Sequence, residues 1–133
     1  MENLTVGVIG AGGIAAAHLD AWRSLGARIV LWSRSGAGAL AAPDVHEAGS
    51  VAELLAEVDL VDICTPTRTH LGFVRAAAEA GVHVLCEKPL GRTTAEAEAA
   101  VAACASAGVQ LLPTHVVRYF PTSPASTRSC SAA

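Results

Sequence analysis

Short apolar runs alternate along the chain with longer, alanine-rich amphipathic segments. The runs are continuously apolar, which is typical of strands buried on both faces of a parallel sheet. The pattern predicts six strands, of which the third is the weakest: Leu4–Ile9, Ala27–Trp32, Val45–Glu47, Val58–Cys64, Val82–Cys86 and Val109–Leu112. It predicts helices over four of the intervening segments: Gly13–Leu25, Val51–Ala56, Thr69–Ala80 and Ala95–Ala107.

The predicted helices have well-marked ends. Ser50 with Glu53, and Thr93 with Glu96, have the spacing of a capping box. The segment Gly36–Pro43 fits either a short helix or a loop. Glycines follow three of the helices, where a left-handed cap favours this residue: Gly26, Gly81 and Gly108. This alternation of strands and helices predicts an α/β fold with a doubly wound parallel sheet.

Composition narrows the class of protein. The chain has 133 residues, of which 52% are hydrophobic and 16% charged, as expected for a packed globular unit. The net charge of −3 and the lack of a basic stripe argue against nucleic acid as a partner. No apolar run approaches the roughly 18 residues that span a membrane, and the N-terminus lacks a basic leader. We therefore expect a cytoplasmic protein that does not insert into membranes.

The cysteines and histidines give no metal signature. The chain has four cysteines, none in a C-x-x-C spacing: Cys64, Cys86, Cys104 and Cys130. We therefore expect reduced thiols, and no His/Cys spacing suggests a zinc site. We expect His18 and His46 to occupy ordinary surface positions.

The last twelve residues differ from everything before them. Residues 122–133 consist largely of small and hydroxylated residues without apolar periodicity, so we expect a disordered tail after a domain of residues 1–121. The abrupt change suggests a shifted reading frame or a truncated gene product as its origin.

A glycine-rich loop follows the first predicted strand. The sequence Gly10-Ala11-Gly12-Gly13-Ile14-Ala15 fits the pattern G-x-G-x-x-[G/A] between a strand and a helix. Gly10 permits the tight turn, Gly12 lets a pyrophosphate approach the backbone, and Ala15 allows close packing of helix on strand. The helix N-terminus then offers free N–H groups to phosphates. A plain glycine turn and an S-adenosylmethionine loop are the alternatives.

The end of the second strand bears on which cofactor binds. NAD sites usually place an acid about 20 residues past the loop to bind the ribose hydroxyl. Here the stretch reads Leu31-Trp32-Ser33-Arg34-Ser35 and contains no acid. Ser33 and Arg34 could instead hold a 2′-phosphate, which favours NADP while leaving NAD possible. The alternative is that Arg34 is a solvated loop residue.

Two further motifs lie where strands end. Thr65-Pro66 follows the fourth strand with His70 opening the next helix, and Glu87-Lys88-Pro89 follows the fifth. Ligands bind outside the carboxyl ends of such strands, so both motifs should face the crevice of the glycine loop. A lysine there can orient a carbonyl or pass protons. A solvated Glu87–Lys88 ion pair is the alternative.

These motifs together resemble the Gfo/Idh/MocA oxidoreductases. The resemblance covers about residues 4–121 and rests on G-x-G-G-I-A, C-T-P-T-x-x-H, C-E-K-P and H-x-x-R-[YF]-x-P in this order. It implies an NAD(P)-dependent Rossmann domain of an enzyme that transfers hydride between a nicotinamide and a sugar-like or polyol alcohol or ketone. Lys88 would lie beside the nicotinamide and contact the substrate oxygen, with Glu87 positioning it.

The resemblance also implies a set of cofactor-binding residues. Thr65, Pro66 and His70 would line the cofactor, and a linking segment would lie near the site: His115, Arg118 and Tyr119. With the loop residues, the expected cofactor set is Gly10, Gly12, Gly13, Ala15, Ser33, Arg34, Thr65, Pro66, His70, Glu87, Lys88, His115 and Arg118.

Members of the family are usually more than twice as long and carry a second, substrate-binding domain that also helps to form oligomers. We therefore expect a homo-oligomer or self-association through exposed apolar residues at 116–120. A nonenzymatic dinucleotide-binding module or an inactive fragment is the alternative function.

Overall fold

A computed structural model describes residues 4–115 as a parallel six-stranded sheet flanked by helices. The strands occur where the apolar runs predict them, within two residues at each end: β1 Thr5–Ile9, β2 Arg28–Trp32, β3 Val45–Glu47, β4 Leu60–Ile63, β5 His83–Cys86 and β6 Leu111–Pro113. Their order across the sheet is β3-β2-β1-β4-β5-β6, and every neighbouring pair is parallel. This confirms the doubly wound α/β fold.

Four α-helices connect the strands: α1 Gly13–Ser24, α2 Val51–Glu57, α3 His70–Glu79 and α4 Thr94–Ala107. Single 3₁₀ turns occur at Gly38–Leu40, inside the segment that fitted either a short helix or a loop, and at Thr67–Thr69 directly before α3.

Both faces of the sheet are covered by apolar side chains. Leu54 of α2, Val74 of α3 and Ala100 of α4 pack on one face, where all three are fully buried. Ala15 and Leu19 of α1 pack on the other face, against residues such as Val8 and Leu31. Two-sided burial explains why the strand sequences are continuously apolar.

Some expected features fall outside the described residues. These are Arg118, Tyr119, the apolar residues at 116–120 and the predicted tail of residues 122–133. In the part of the chain that the structure describes, no helix combines the length and the apolar character needed to cross a membrane.

Candidate functional site

The candidate site lies at the carboxyl edge of the sheet, where β1 and β4 are neighbours. After β1 the chain continues to β2, which lies on one side of β1. After β4, the neighbour of β1 on its other side, the chain continues in the opposite direction to β5. The loops that follow these two strands therefore diverge and open a crevice between them, the usual ligand position in a doubly wound sheet.

The glycine loop forms one wall of this crevice. Gly10 has a φ of 110°, and a Cβ atom there would lie 2.8 Å from the carbonyl oxygen of Cys64. Gly12 has an ordinary φ of −81°, and a Cβ atom there would have no described atom within 4 Å. The fold itself therefore requires glycine at position 10, whereas at position 12 the space is open for a ligand.

The N-terminus of α1 is suited to an anion. Gly12 is its N-cap and offers no capping side chain, and the first turn contains no acidic residue. The partial positive charge of the helix end is therefore not neutralised locally. Ala15 is fully buried against the sheet, so it brings the helix close without touching the crevice.

A cleft of about 330 Å³ extends from the glycine loop along the ends of β2 and β4. Ser33, Arg34 and Arg68 supply its polar wall, while Trp32 packs edge-on against Phe73 with ring centroids 6.1 Å apart. The remaining lining comes from residues that include Gly10, Gly12, Thr65 and Pro66. The structure thus brings six of the thirteen residues expected to bind the cofactor together at this cleft: Gly10, Gly12, Ser33, Arg34, Thr65 and Pro66.

Two arginines of the cleft are exposed and unpaired. Neither Arg34 nor Arg68 forms a salt bridge with a carboxylate of residues 4–115. Arg68 lies in the 3₁₀ turn after β4, and the sequence argument did not single it out. Two free guanidinium groups at one cleft favour an anionic ligand.

The Glu87-Lys88-Pro89 segment follows β5, at the same edge but outside the lining of this cleft. Its backbone continues the sheet, since the N–H of Glu87 donates to the carbonyl of Ile63 over 3.0 Å. The N–H of Lys88 donates to Oε2 of Glu87 over 3.1 Å, and the Lys88–Pro89 peptide is cis. Lys88 is exposed and is the single lysine of the chain.

His70 lies beneath the crevice and not on its wall. It is 1% exposed, and its Nδ1 and Nε2 atoms lie 2.9 Å from the carbonyl oxygen of Pro89 and 2.7 Å from that of Thr65. The ring therefore ties the loop after β4 to the loop after β5, and the contact of His70 with a cofactor stays a prediction.

His18 is not the surface residue that the sequence argument expected. Its side chain is only 15% exposed; Nδ1 lies 2.8 Å from Oδ2 of Asp62, and Nε2 lies 3.1 Å from Oε1 of Glu87. The hydrogen bond with Asp62 raises the pKa of His18 above its usual 6.5, against the opposing effect of burial, and the charge of Glu87 adds to the rise. His46, by contrast, is exposed as expected.

Asp62, the partner of His18, was not among the residues predicted from the sequence either. It lies within β4 and is fully buried, facing α1. The Trp22 indole N–H donates to its Oδ2 over 2.7 Å, and the Cys64 thiol donates to its Oδ1 over 3.4 Å. A buried carboxylate needs such donors, because isolated burial of a charge is costly.

Potential metal-ligating atoms of His18, Asp62 and Cys64 lie within 4.8 Å of one another, although no spacing in the sequence suggested a metal site. Burial raises the pKa of the Cys64 thiol far above its usual value, which keeps the sulfur protonated. The same donors and acceptors already bind one another and Trp22, so the cluster is a hydrogen-bonded network.

A larger and shallower groove of about 900 Å³ lies at the opposite end of the sheet, beside Leu55, Val58 and Ala76. It contains none of the motif residues. His115, the first residue of the expected linking segment, is exposed after β6.

Comparisons with known proteins agree with this geometry. A family model described as "Oxidoreductase family, NAD-binding Rossmann fold" (Gfo/Idh/MocA) matches residues 4–115. The D-apiose dehydrogenase of Paraburkholderia graminis is 35% identical over an alignment of 122 residues, which covers 86% of this chain and 32% of that enzyme.

Solved structures show the same fold. UDP-N-acetylglucosamine 3-dehydrogenase GnnA from Acidithiobacillus ferrooxidans superposes with a TM-score of 0.87 at 31% identity, covering 100% of this chain and 45% of that one. Biliverdin reductase from Synechocystis sp. PCC 6803, solved with biliverdin and NADP⁺, gives a TM-score of 0.74 at 28% identity over 86% of this chain and 38% of its own. The chain spans less than half the length of each of these relatives.

Proposed function

The chain belongs to the Gfo/Idh/MocA oxidoreductase family, whose matching part is an NAD-binding Rossmann fold, and we propose that it is the cofactor-binding part of an NADP-preferring dehydrogenase. The proposed substrates are sugar-like or polyol alcohols and the corresponding ketones. This family membership favours a dinucleotide over S-adenosylmethionine at the glycine loop.

The observation that carries the proposal is the glycine loop at the uncapped N-terminus of α1. The open space at Gly12 and the free first turn of the helix fit a pyrophosphate, which the backbone N–H groups would bind. The cleft of about 330 Å³ continues from this point along the ends of β2 and β4, in the direction needed for an adenosine moiety.

Preference for NADP rests on the charge of the cleft. Ser33 occupies the strand end at which an acid would bind an unphosphorylated ribose. Arg34 and Arg68 line the same cleft without an acidic partner among residues 4–115, so both can bind a 2′-phosphate.

The bound nicotinamide would supply the hydride or accept it. We propose Lys88 as the residue that donates a hydrogen bond to the substrate oxygen, and Glu87 as the residue that positions it by accepting the backbone N–H of Lys88. Lys88 is exposed at the site edge and forms no salt bridge within residues 4–115, so its ammonium group is available for this contact. The names of two relatives, D-apiose dehydrogenase and UDP-N-acetylglucosamine 3-dehydrogenase, support a sugar substrate.

Fluorescence titration with NADPH and NADH tests the proposal. We expect tighter binding of NADPH, with the preference reduced about tenfold by Arg34→Gln or Arg68→Gln, since each removes a charge-assisted phosphate contact. Arg75→Gln is the matched control, because Arg75 is an exposed, unpaired arginine of α3 within the described chain and does not line the cleft. Equal binding of both cofactors, unchanged by Arg34→Gln, would contradict the NADP preference.

We further propose that the chain self-associates. Leu112 is 47% exposed on β6, the last strand of the described sheet, and a second subunit could cover it. Light scattering across a concentration series measures this directly, and a monomer at every concentration would argue against it. The division at residue 121 and the cytoplasmic location stay predictions.

A further inference from the structure

Glu87 and Lys88 are adjacent and oppositely charged, yet the structure does not pair their side chains. Glu87 forms its salt bridge with His18, through Oε1 and Nε2 at 3.1 Å. Its other oxygen, Oε2, accepts the backbone N–H of Lys88. Both oxygens are thus engaged, and no carboxylate of residues 4–115 pairs with the Lys88 ammonium group.

The contacts of His18 determine where protons must lie. Both ring nitrogens face carboxylate oxygens, of Asp62 at 2.8 Å and of Glu87 at 3.1 Å. Ionised carboxylates only accept hydrogen bonds, so each of the two contacts needs its own proton. A protonated imidazole between two carboxylates meets this requirement, and it compensates the fully buried charge of Asp62.

The three groups are held by three separate elements. Asp62 is fixed within β4 and is further restrained by the Trp22 indole N–H. His18 lies one turn before Trp22 on α1, and Glu87 follows β5 directly. The network therefore couples the first helix to the segment that carries Lys88.

We propose that Asp62, protonated His18 and Glu87 form a charge chain that draws the Glu87 carboxylate away from Lys88 and leaves the Lys88 ammonium free for substrate. His18 and Asp62 are then positioning residues that act on Lys88 through Glu87. The inference rests on the proposed function for the role of Lys88, but the charge chain itself can be tested without a cofactor.

Histidine NMR tests the protonation of His18. The ionisable groups that face this ring within residues 4–115 are Asp62 from β4 and Glu87 after β5, with the Cys64 thiol bound to Asp62. We expect both ring nitrogens to be protonated in most molecules at pH 6.5, with a pKa above 6.5 that falls in Asp62→Asn and, by a smaller amount, in Glu87→Gln. His18→Gln assigns the signal by its loss. A neutral ring at pH 6.5 would overturn the proposal.

The single lysine of the chain offers a second readout. Acylation by an N-hydroxysuccinimide ester requires the neutral amine. A nearby carboxylate stabilises the ammonium form and therefore slows acylation. The rate at Lys88, measured by mass spectrometry, thus reports whether a carboxylate pairs with this side chain. Once His18→Gln removes the imidazolium, Glu87 is free to pair with Lys88. We therefore expect acylation of Lys88 to slow by about tenfold.

Two variants make this test specific. His46→Gln changes an exposed histidine of β3 and should leave the rate unchanged. Adding Glu87→Gln to His18→Gln should restore the rate, since no carboxylate is left to capture the lysine. Slowing that persists in the double variant, or that appears equally in His46→Gln, would show a structural effect and overturn the proposal.

The same samples separate this inference from the proposed function. NADPH and NADH titrations report on the glycine loop and the cleft, which His18 does not line. Failure of both cofactors to bind would contradict the proposed function, while the NMR and acylation results would still decide the charge chain. Normal NADPH binding with an unchanged acylation rate in His18→Gln would retain the proposed function and overturn the inference.

Discussion

Gly10 and Gly12 lie two positions apart in one loop but are required for different physical reasons. Gly10 has a positive φ, and a side chain there would collide with the backbone of Cys64. Gly12 has a φ that any residue adopts and open space around it. The fold therefore requires glycine at position 10, whereas at position 12 it leaves open the space that the proposed pyrophosphate would occupy.

Alanine substitutions at the two glycines should separate stability from binding. Gly10→Ala should lower the free energy of unfolding by about 2 kcal/mol, because it forces a side chain into a strained conformation. Gly12→Ala should lower the free energy of unfolding by no more than about 1 kcal/mol, because alanine is a poorer N-cap than glycine. It should weaken NADPH binding at least about tenfold, since the methyl group would occupy the pyrophosphate position. Urea unfolding and fluorescence titration measure these effects; a Gly12→Ala protein with full affinity would refute the pyrophosphate position.

His18 shows what sequence reasoning could have found and what it could not. Ala15, His18, Leu19 and Trp22 recur at helical spacing, which places His18 on the face of α1 that meets the sheet. That periodicity was sufficient to predict partial burial. The partners, however, lie 44 and 69 positions away, and only the order of the strands brings Asp62 and Glu87 to the same point.

The raised pKa of His18 predicts how stability depends on pH. A histidine whose pKa is higher in the folded than in the unfolded state stabilises the fold most below its unfolded pKa near 6.5. This contribution is lost as the pH rises through the higher folded value. Urea unfolding at intervals from pH 5.5 to 8.5 should therefore show the advantage of the native chain over His18→Gln shrinking with rising pH.

The comparison cancels titrations that the two proteins share. Both keep Cys64, Cys86 and Cys104, whose pKa values burial raises, in the case of Cys86 to about 12. A difference between the two proteins that is constant, or that grows with pH, would contradict the charge assigned to His18.

At the scale of single elements, helix beginnings were predictable because capping is local. Ser50 and Thr93 accept the N–H of Glu53 and Glu96, as the capping-box spacing predicted. The reciprocal bonds differ from the expected box, since the two glutamates accept from Gly49 and Arg92, one residue before each cap. The spacing thus predicted the cap but not this extension, which depends on the turn that precedes each helix.

The cap of α4 can be tested at adjacent threonines. Thr93→Ala removes the hydroxyl that accepts the N–H of Glu96 and should cost about 1 kcal/mol of unfolding free energy, whereas Thr93→Ser should retain the cap. Thr94→Ala is the matched control, since Thr94 is the exposed first residue of the helix and is not its cap. Equal losses from Thr93→Ala and Thr94→Ala in urea unfolding would argue against a specific cap.

At the scale of the whole molecule, strand and helix alternation predicted the class of sheet, because parallel strands buried on both faces leave a continuous apolar pattern. The side-chain network of the site is less accessible to such reasoning. His70 joins the loop after β4 to Pro89, which lies 19 residues further along the chain, and Arg68 reaches the cleft from an unspecified position of the C-T-P-T-x-x-H motif. Both depend on the packing of loops across neighbouring strands.

A ligand that binds only the folded chain must stabilise it, so cofactor binding should appear in thermal unfolding. At 100 times its dissociation constant, NADPH should add about 2.7 kcal/mol, which for a domain of this size raises Tm by roughly 10 °C. NADH at the same concentration should raise Tm less, because it lacks the phosphate that Arg34 and Arg68 would bind. The rise should also increase with the logarithm of ligand concentration.

Gly12→Ala provides the control for this measurement, because the protein should still be folded, with at most a small loss of stability, while its response to NADPH falls. An equal rise in Tm for Gly12→Ala and the native chain would mean that NADPH binds elsewhere on the molecule. If neither cofactor raised Tm, the crevice of the folded chain would not bind a nicotinamide dinucleotide. A rise in Tm that is specific to NADPH and is lost in Gly12→Ala would instead show that one ligand occupies both the open space at Gly12 and the cleft that contains Arg34 and Arg68.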